Sequence, residues 1–121
     1  MVEKGERSPF ESEEMKEWLE KYVLDPFTAY LDEAVFRIDF FDSDTAFIIE
    51  AQLPGAKKED IKVTADGCSL KISVQEKHPA TGSVHAKMRT ISFPFSLKPM
   101  KIEANLYQDI LEIRIHKNIA P

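Results

Sequence analysis

A chain of 121 residues with 43% hydrophobic and 31% charged side chains is long enough for one domain and too apolar for a fully disordered segment. Its net charge of −5 is uneven: residues 1–35 carry four basic and ten acidic side chains, a balance of −6, whereas residues 36–121 carry twelve and eleven, a balance of +1. With no basic stripe to neutralise phosphates, neither nucleic acid nor an anionic membrane is an expected partner.

The N-terminus, Met1-Val2-Glu3-Lys4-Gly5, has no apolar leader, and no apolar run is long enough to span a bilayer, so a cytoplasmic location is expected. In the acidic arm, residues 1–35, Met15, Trp18, Leu19, Tyr22 and Val23 recur at the spacing of one helix face. Ser8-Pro9-Phe10-Glu11 offers an N-cap, a proline at the first helical position and a capping-box glutamate, with Ser12 as an alternative start. Pro26 ends or kinks this helix near Leu24, and Phe27, Tyr30 and Leu31 fit a second short helical turn. The Trp18 face requires cover. Burial in a partner subunit or client is the favoured account; folding back onto the chain's own core is the other.

From Phe36 the period changes to two. Phe36, Ile38 and Phe40 share a face, as do Phe47, Ile49 and Ala51; Ile61 and Val63; Leu70, Ile72 and Val74; Ile91, Phe93 and Phe95; Ile102, Ala104 and Leu106; and Leu111, Ile113 and Ile115. Turn residues separate these runs at Asp42-Ser43-Asp44, Pro54-Gly55, Asp66-Gly67, Lys98-Pro99 and Gln108-Asp109. About seven short strands at this spacing predict an antiparallel, immunoglobulin-like β-sandwich over 36–117, behind a short helical arm and ahead of a residual tail, 118–121. Residues 75–87, with Pro79 and Gly82, read as a connector, so the following strand is expected over Met88–Phe95, an edge or bulged strand because Pro94 lacks a ladder donor. Phe41, Ile48 and Ile110 are apolar on outward faces.

Chemistry-bearing patterns are sparse. His78, His85 and His116 have no second ligand at zinc-like spacing, so no metal is expected. No nucleophile motif or Gly-rich phosphate loop occurs, and turn capping accounts for the pairs Asp42 with Asp44 and Glu59 with Asp60. Cys68, the single cysteine, cannot form an internal disulfide and reads as a turn residue. No enzyme activity and no cofactor are expected.

Glu50-Ala51-Gln52-Leu53-Pro54-Gly55-Ala56-Lys57-Lys58-Glu59-Asp60-Ile61 closely resembles the signature of the small heat-shock protein (α-crystallin) family. The likeness continues through Phe36–Glu50, through Leu70-Lys71-Ile72, and through Ala104–Leu111, which fits the pattern Ala-x-x-x-x-Gly-Val-Leu with Asp109 at the glycine and Ile110 at the valine. Asp109 is expected to take the left-handed turn backbone that glycine would supply. The resemblance covers about residues 36–117 and implies an α-crystallin domain.

It further implies an ATP-independent holdase that binds apolar segments of unfolding proteins and limits their aggregation. Carried onto this sequence, the family's groove at the sandwich edge would be lined by Ile61, Val63, Ile102 and Leu106, with arm contacts from Trp18, Leu19, Tyr22 and Phe27; the four groove residues read equally well as plain core. Relatives form dimers by exchanging a strand from a longer connector, or by pairing the strand that corresponds here to Met88–Phe95. Ile113-Arg114-Ile115 lies within the last strand and cannot be a free docking tail, and no such motif follows it before Pro121. Dimers or small oligomers with a groove unfilled by their own tail are therefore expected. The alternative is a structural or adaptor component of a larger assembly, coat-like, that docks through the same sandwich.

Overall fold

The structure, a computed structural model, describes residues 12–117. Two helices, α1 (Glu13–Leu24) and α2 (Pro26–Ala34), precede seven strands: β1 (Ile38–Asp42), β2 (Ala46–Gln52), β3 (Ile61–Asp66), β4 (Ser69–Lys77), β5 (Val84–Ser92), β6 (Ile102–Tyr107) and β7 (Ile110–His116). Antiparallel ladders join them into a four-stranded sheet, order β1-β2-β7-β6, and a three-stranded sheet, order β3-β4-β5. Alternation aims one face of each strand at the other sheet. Between the sheets lie Phe47, Ile49, Leu70, Ile72, Ile91, Ile113 and Ile115, all fully buried. The strand faces read from the sequence are the core faces, apart from Ala104 on β6, which is exposed.

Ser12, the alternative start, caps α1 by accepting from Met15 N at 3.1 Å; Ser8 lies outside the described residues. Pro26 cannot continue α1, and Asp25 starts α2 by accepting from Phe27 N at 2.9 Å, giving a nine-residue helix where a single turn was expected. The connector expected over 75–87 shrinks to residues 78–83. β4 continues to Lys77 and β5 begins at Val84, their polar ends held by the ladder and by Glu76, which pairs with Lys87 at 3.4 Å and lies 3.6 Å from His85. β5 accordingly ends at Ser92, and Pro94 lies beyond it, where it removes no ladder donor.

The turn between β6 and β7 corrects another expectation. Gln108, not Asp109, takes the positive φ, +57°. Asp109 instead bonds to the Leu53-Pro54-Gly55 turn, its carbonyl accepting from Leu53 N at 2.7 Å and its Oδ1 from Gly55 N at 3.3 Å. Gly55 itself sits at φ +75° with open space around it, so the backbone angle rather than crowding calls for glycine.

Candidate functional site

β3 is a free edge of the three-stranded sheet and β6 a free edge of the four-stranded one. Hydrogen bonds set them side by side. Where β3 ends, Gly67 O accepts from Leu97 N at 2.8 Å, in the segment leading into β6; before β3 begins, Leu53 and Gly55 bond to Asp109, just past the end of β6. The two strands therefore run along one margin of the sandwich in opposite directions. Ile61 and Val63 on β3, and Ile102 and Leu106 on β6, are half-buried and pack against the core. All four predicted groove residues thus share one margin, inner flanks on the core and outer flanks partly open.

The arm folds back onto its own sandwich, against the favoured expectation. Met15 is buried in the core, and Trp18 lies with ring centroids 5.0 Å from Phe93, 5.8 Å from Phe40 and 5.3 Å from Tyr22. Trp18, Leu19 and Tyr22 are half-buried against the core, whereas Phe27, the fourth predicted arm contact, is 61% exposed and stacks on Tyr30. The reason is aromatic complementarity: the space left by Phe40 and Phe93 between the sheets accepts the helix face without a partner.

Arg89 on β5 locks this docking, and the sequence reading did not single it out. Its side chain is 2% exposed; Nη1 donates to Asp32 Oδ1 at 2.5 Å and to the Phe36 carbonyl at 3.0 Å, and Nη2 donates to the Tyr22 hydroxyl at 2.9 Å. One guanidinium therefore holds α1, α2 and the link into β1. Burial pushes the Tyr22 phenol pKa up; the nearby Arg89 charge opposes that shift and Asp32 adds to it. The sequence signal available was an arginine at an inward position of an alternating strand, a residue type that is rarely buried unpaired.

The margin offers apolar contact and free strand edges. Among the described residues no group of three or more His, Cys, Asp or Glu is placed to hold a metal, and no helix is long and apolar enough to cross a membrane. Cys68 is exposed in the turn between β3 and β4.

Residues 39–121 match the model of the Hsp20/alpha crystallin family. The chain is 30% identical over 103 residues to spore coat protein M of Bacillus subtilis (strain 168), covering 85% of this chain and 73% of that protein. It is 33% identical over 96 residues to an 18.3 kDa class I heat shock protein of Oxybasis rubra, covering 70% of this chain and 60% of that one, so it spans less than two thirds of the plant relative. A crystal structure of a small heat-shock protein from Xylella fastidiosa, described as having a distinct high order structure, superposes with a TM-score of 0.57 at 23% identity, over 70% of this chain and 87% of the other. At that identity the likeness concerns the fold.

Proposed function

The chain belongs to the Hsp20/alpha crystallin family, and from that premise we propose that it is an ATP-independent holdase whose client site is the margin formed by β3 and β6. Family membership supports a chaperone role in general; the holdase mechanism and its site are the finer reading. The observation that carries it is the pair of free strand edges lying side by side, lined by Ile61, Val63, Ile102 and Leu106 with their outer flanks partly open. An extended apolar segment of an unfolding protein fits such a margin, since a free edge supplies main-chain donors and acceptors while side chains at alternate positions seat on the apolar flanks. Of the arm residues, Phe27 is available as the chain stands; Trp18, Leu19 and Tyr22 become available when the arm lifts. Self-association as a dimer or small oligomer belongs to the same reading.

The test is suppression of thermal aggregation of a model client by a few-fold excess of the chain, followed by light scattering, with Leu106→Ser beside the wild type. Suppression that weakens in a folded Leu106→Ser supports the site; no suppression by the wild type sinks the holdase reading.

The likeness to a spore coat protein favours a second reading, a structural component of a larger assembly that docks through the same margin. Failure to protect clients together with stable incorporation into an isolated coat-type assembly would select it.

A further inference from the structure

Two exposed apolar patches lie away from the β3 and β6 margin, and their rims carry opposite charge. On the outward face of the three-stranded sheet, Val84, Ala86 and Met88 form a stripe along β5, with Val84 59% and Met88 48% exposed. Ladder register puts Lys77 opposite Val84, and sets Ser73 between Met88 and Lys62; Lys71 occupies the next row, opposite Thr90. These three lysines are exposed, and none belongs to an ion pair among the described residues. Asp66, at the far end of β3, is the single acidic residue at the outward positions of these strands, and Asp60 stands just before β3.

The second patch is on the arm. Val23, Leu24, Phe27 and Tyr30 are 64%, 79%, 61% and 63% exposed. Glu13, Glu17 and Glu20 border the hollow that contains Val23 and Leu24, and Asp25 joins the neighbouring one; Lys16, paired with Glu13 at 3.6 Å, and Lys21 leave this rim acidic on balance. Exposed apolar groups rimmed by charged residues mark contact surfaces more often than single scattered apolar side chains do.

We infer that the arm patch of one copy docks on the β5 stripe of a second copy of this chain. The occupant follows from charge: an acid-rimmed apolar surface meets a lysine-rimmed one, whereas arm on arm or stripe on stripe sets like charges together. Among the described residues, the chain's own α1 and α2 do not cover the stripe. Arg89 and Met88 are neighbours on β5 with side chains on opposite faces, so the arm, held by Arg89 through Tyr22 and Asp32, covers the inner side and leaves the outer side free. Each copy carries both halves, so the contacts close in pairs or continue from copy to copy.

Sedimentation velocity on the full chain without any client tests this independently of chaperone activity. The wild type is expected to self-associate with rising concentration, and less so as salt screens the rims. The sheet-reversed variant K62E/K71E/K77E and the arm-reversed variant E17K/E20K should each associate at least about tenfold more weakly, and an equimolar mixture should recover association, because both contacts of a mixed pair are again complementary. V84S/M88S should lose association without any change of charge. All substituted positions are exposed, and circular dichroism checks their folding. A wild type that stays monomeric, reversed variants that associate as the wild type does, or a mixture no tighter than its components would overturn the inference.

Discussion

Replacing Asp32 by Ala removes the carboxylate that faces a guanidinium buried to 2% exposure at 2.5 Å. Breaking a buried ion pair from one side costs about 3–5 kcal/mol, because the remaining charge stays out of water. Asp32 is itself 27% exposed, and the Phe36 carbonyl and Tyr22 hydroxyl still hold Arg89, so the low end applies, about 3 kcal/mol. That is on the order of a hundredfold in the folding equilibrium and a fall of more than about 10 °C in melting temperature. Arg89→Met removes the charge as well and leaves Asp32 to hydrate; its cost is about 1–3 kcal/mol, mostly the Phe36 carbonyl left without its donor. In the Arg89→Met background the further change Asp32→Ala should cost far less, about 1 kcal/mol, for the hydrogen bond that Asp32 Oδ1 still accepts from Ile38 N at 3.3 Å. Urea unfolding followed by far-UV circular dichroism and by the fluorescence of Trp18, the single tryptophan, reads global stability and arm docking together. An Asp32→Ala cost below about 0.5 kcal/mol, or one that persists undiminished beside Arg89→Met, would refute the claim that this pair pins the arm.

Gln108→Gly should stabilise the chain by about 0.5–1 kcal/mol, since a left-handed φ of +57° strains any residue with a Cβ; equal or lower stability in chemical denaturation would argue against that strain. Leu106→Ser should cost about 1–2 kcal/mol because the side chain is half-buried, while client protection falls further than in a control variant of matched stability; protection that merely tracks the melting temperature would make Leu106 plain core. The hydrogen bond from His116, with Lys101 next in weight, holds the Glu103 carboxyl below its ordinary pKa of 4.5. A carboxyl depressed in the folded state stabilises it above the unfolded pKa and loses that contribution as pH falls through the folded value. The melting-temperature advantage of wild type over Glu103→Gln should therefore hold above about pH 4.5 and shrink as the pH falls below it, and a constant advantage would contradict the assignment.

Much of the sandwich was legible because a strand with one buried face must alternate. Phe47-Ile48-Ile49, Leu70-Lys71-Ile72 and Ile113-Arg114-Ile115 carry that signal locally, and their inward members are the fully buried ones. The polar hairpin between β4 and β5 was not legible: Gln75–Lys77 and Val84–Lys87 bury little, and the ladder with the Glu76 pairings, not the hydrophobic pattern, extends both strands. The turn at Gln108-Asp109 failed differently. Asp tolerates a left-handed backbone in isolation, but here its carbonyl and carboxylate are occupied by Leu53 and Gly55, fifty or more residues earlier, and the positive φ falls on its neighbour.

The same division runs through the candidate site. Residues close together in the chain were enough to specify the seven alternating runs, the Leu53-Pro54-Gly55 turn, the amphipathic arm and its acidity. That β3 and β6 share a margin rests instead on hydrogen bonds between segments far apart, which no local pattern encodes. Packing also settled which arm face is spent and which is open: Trp18 and Tyr22 turn inward because Phe40, Phe93 and Arg89 meet them there, and Phe27 and Tyr30 are left outside. A helical period shows that a face is apolar, but what covers that face is set by the shape and charge of a surface assembled from distant strands.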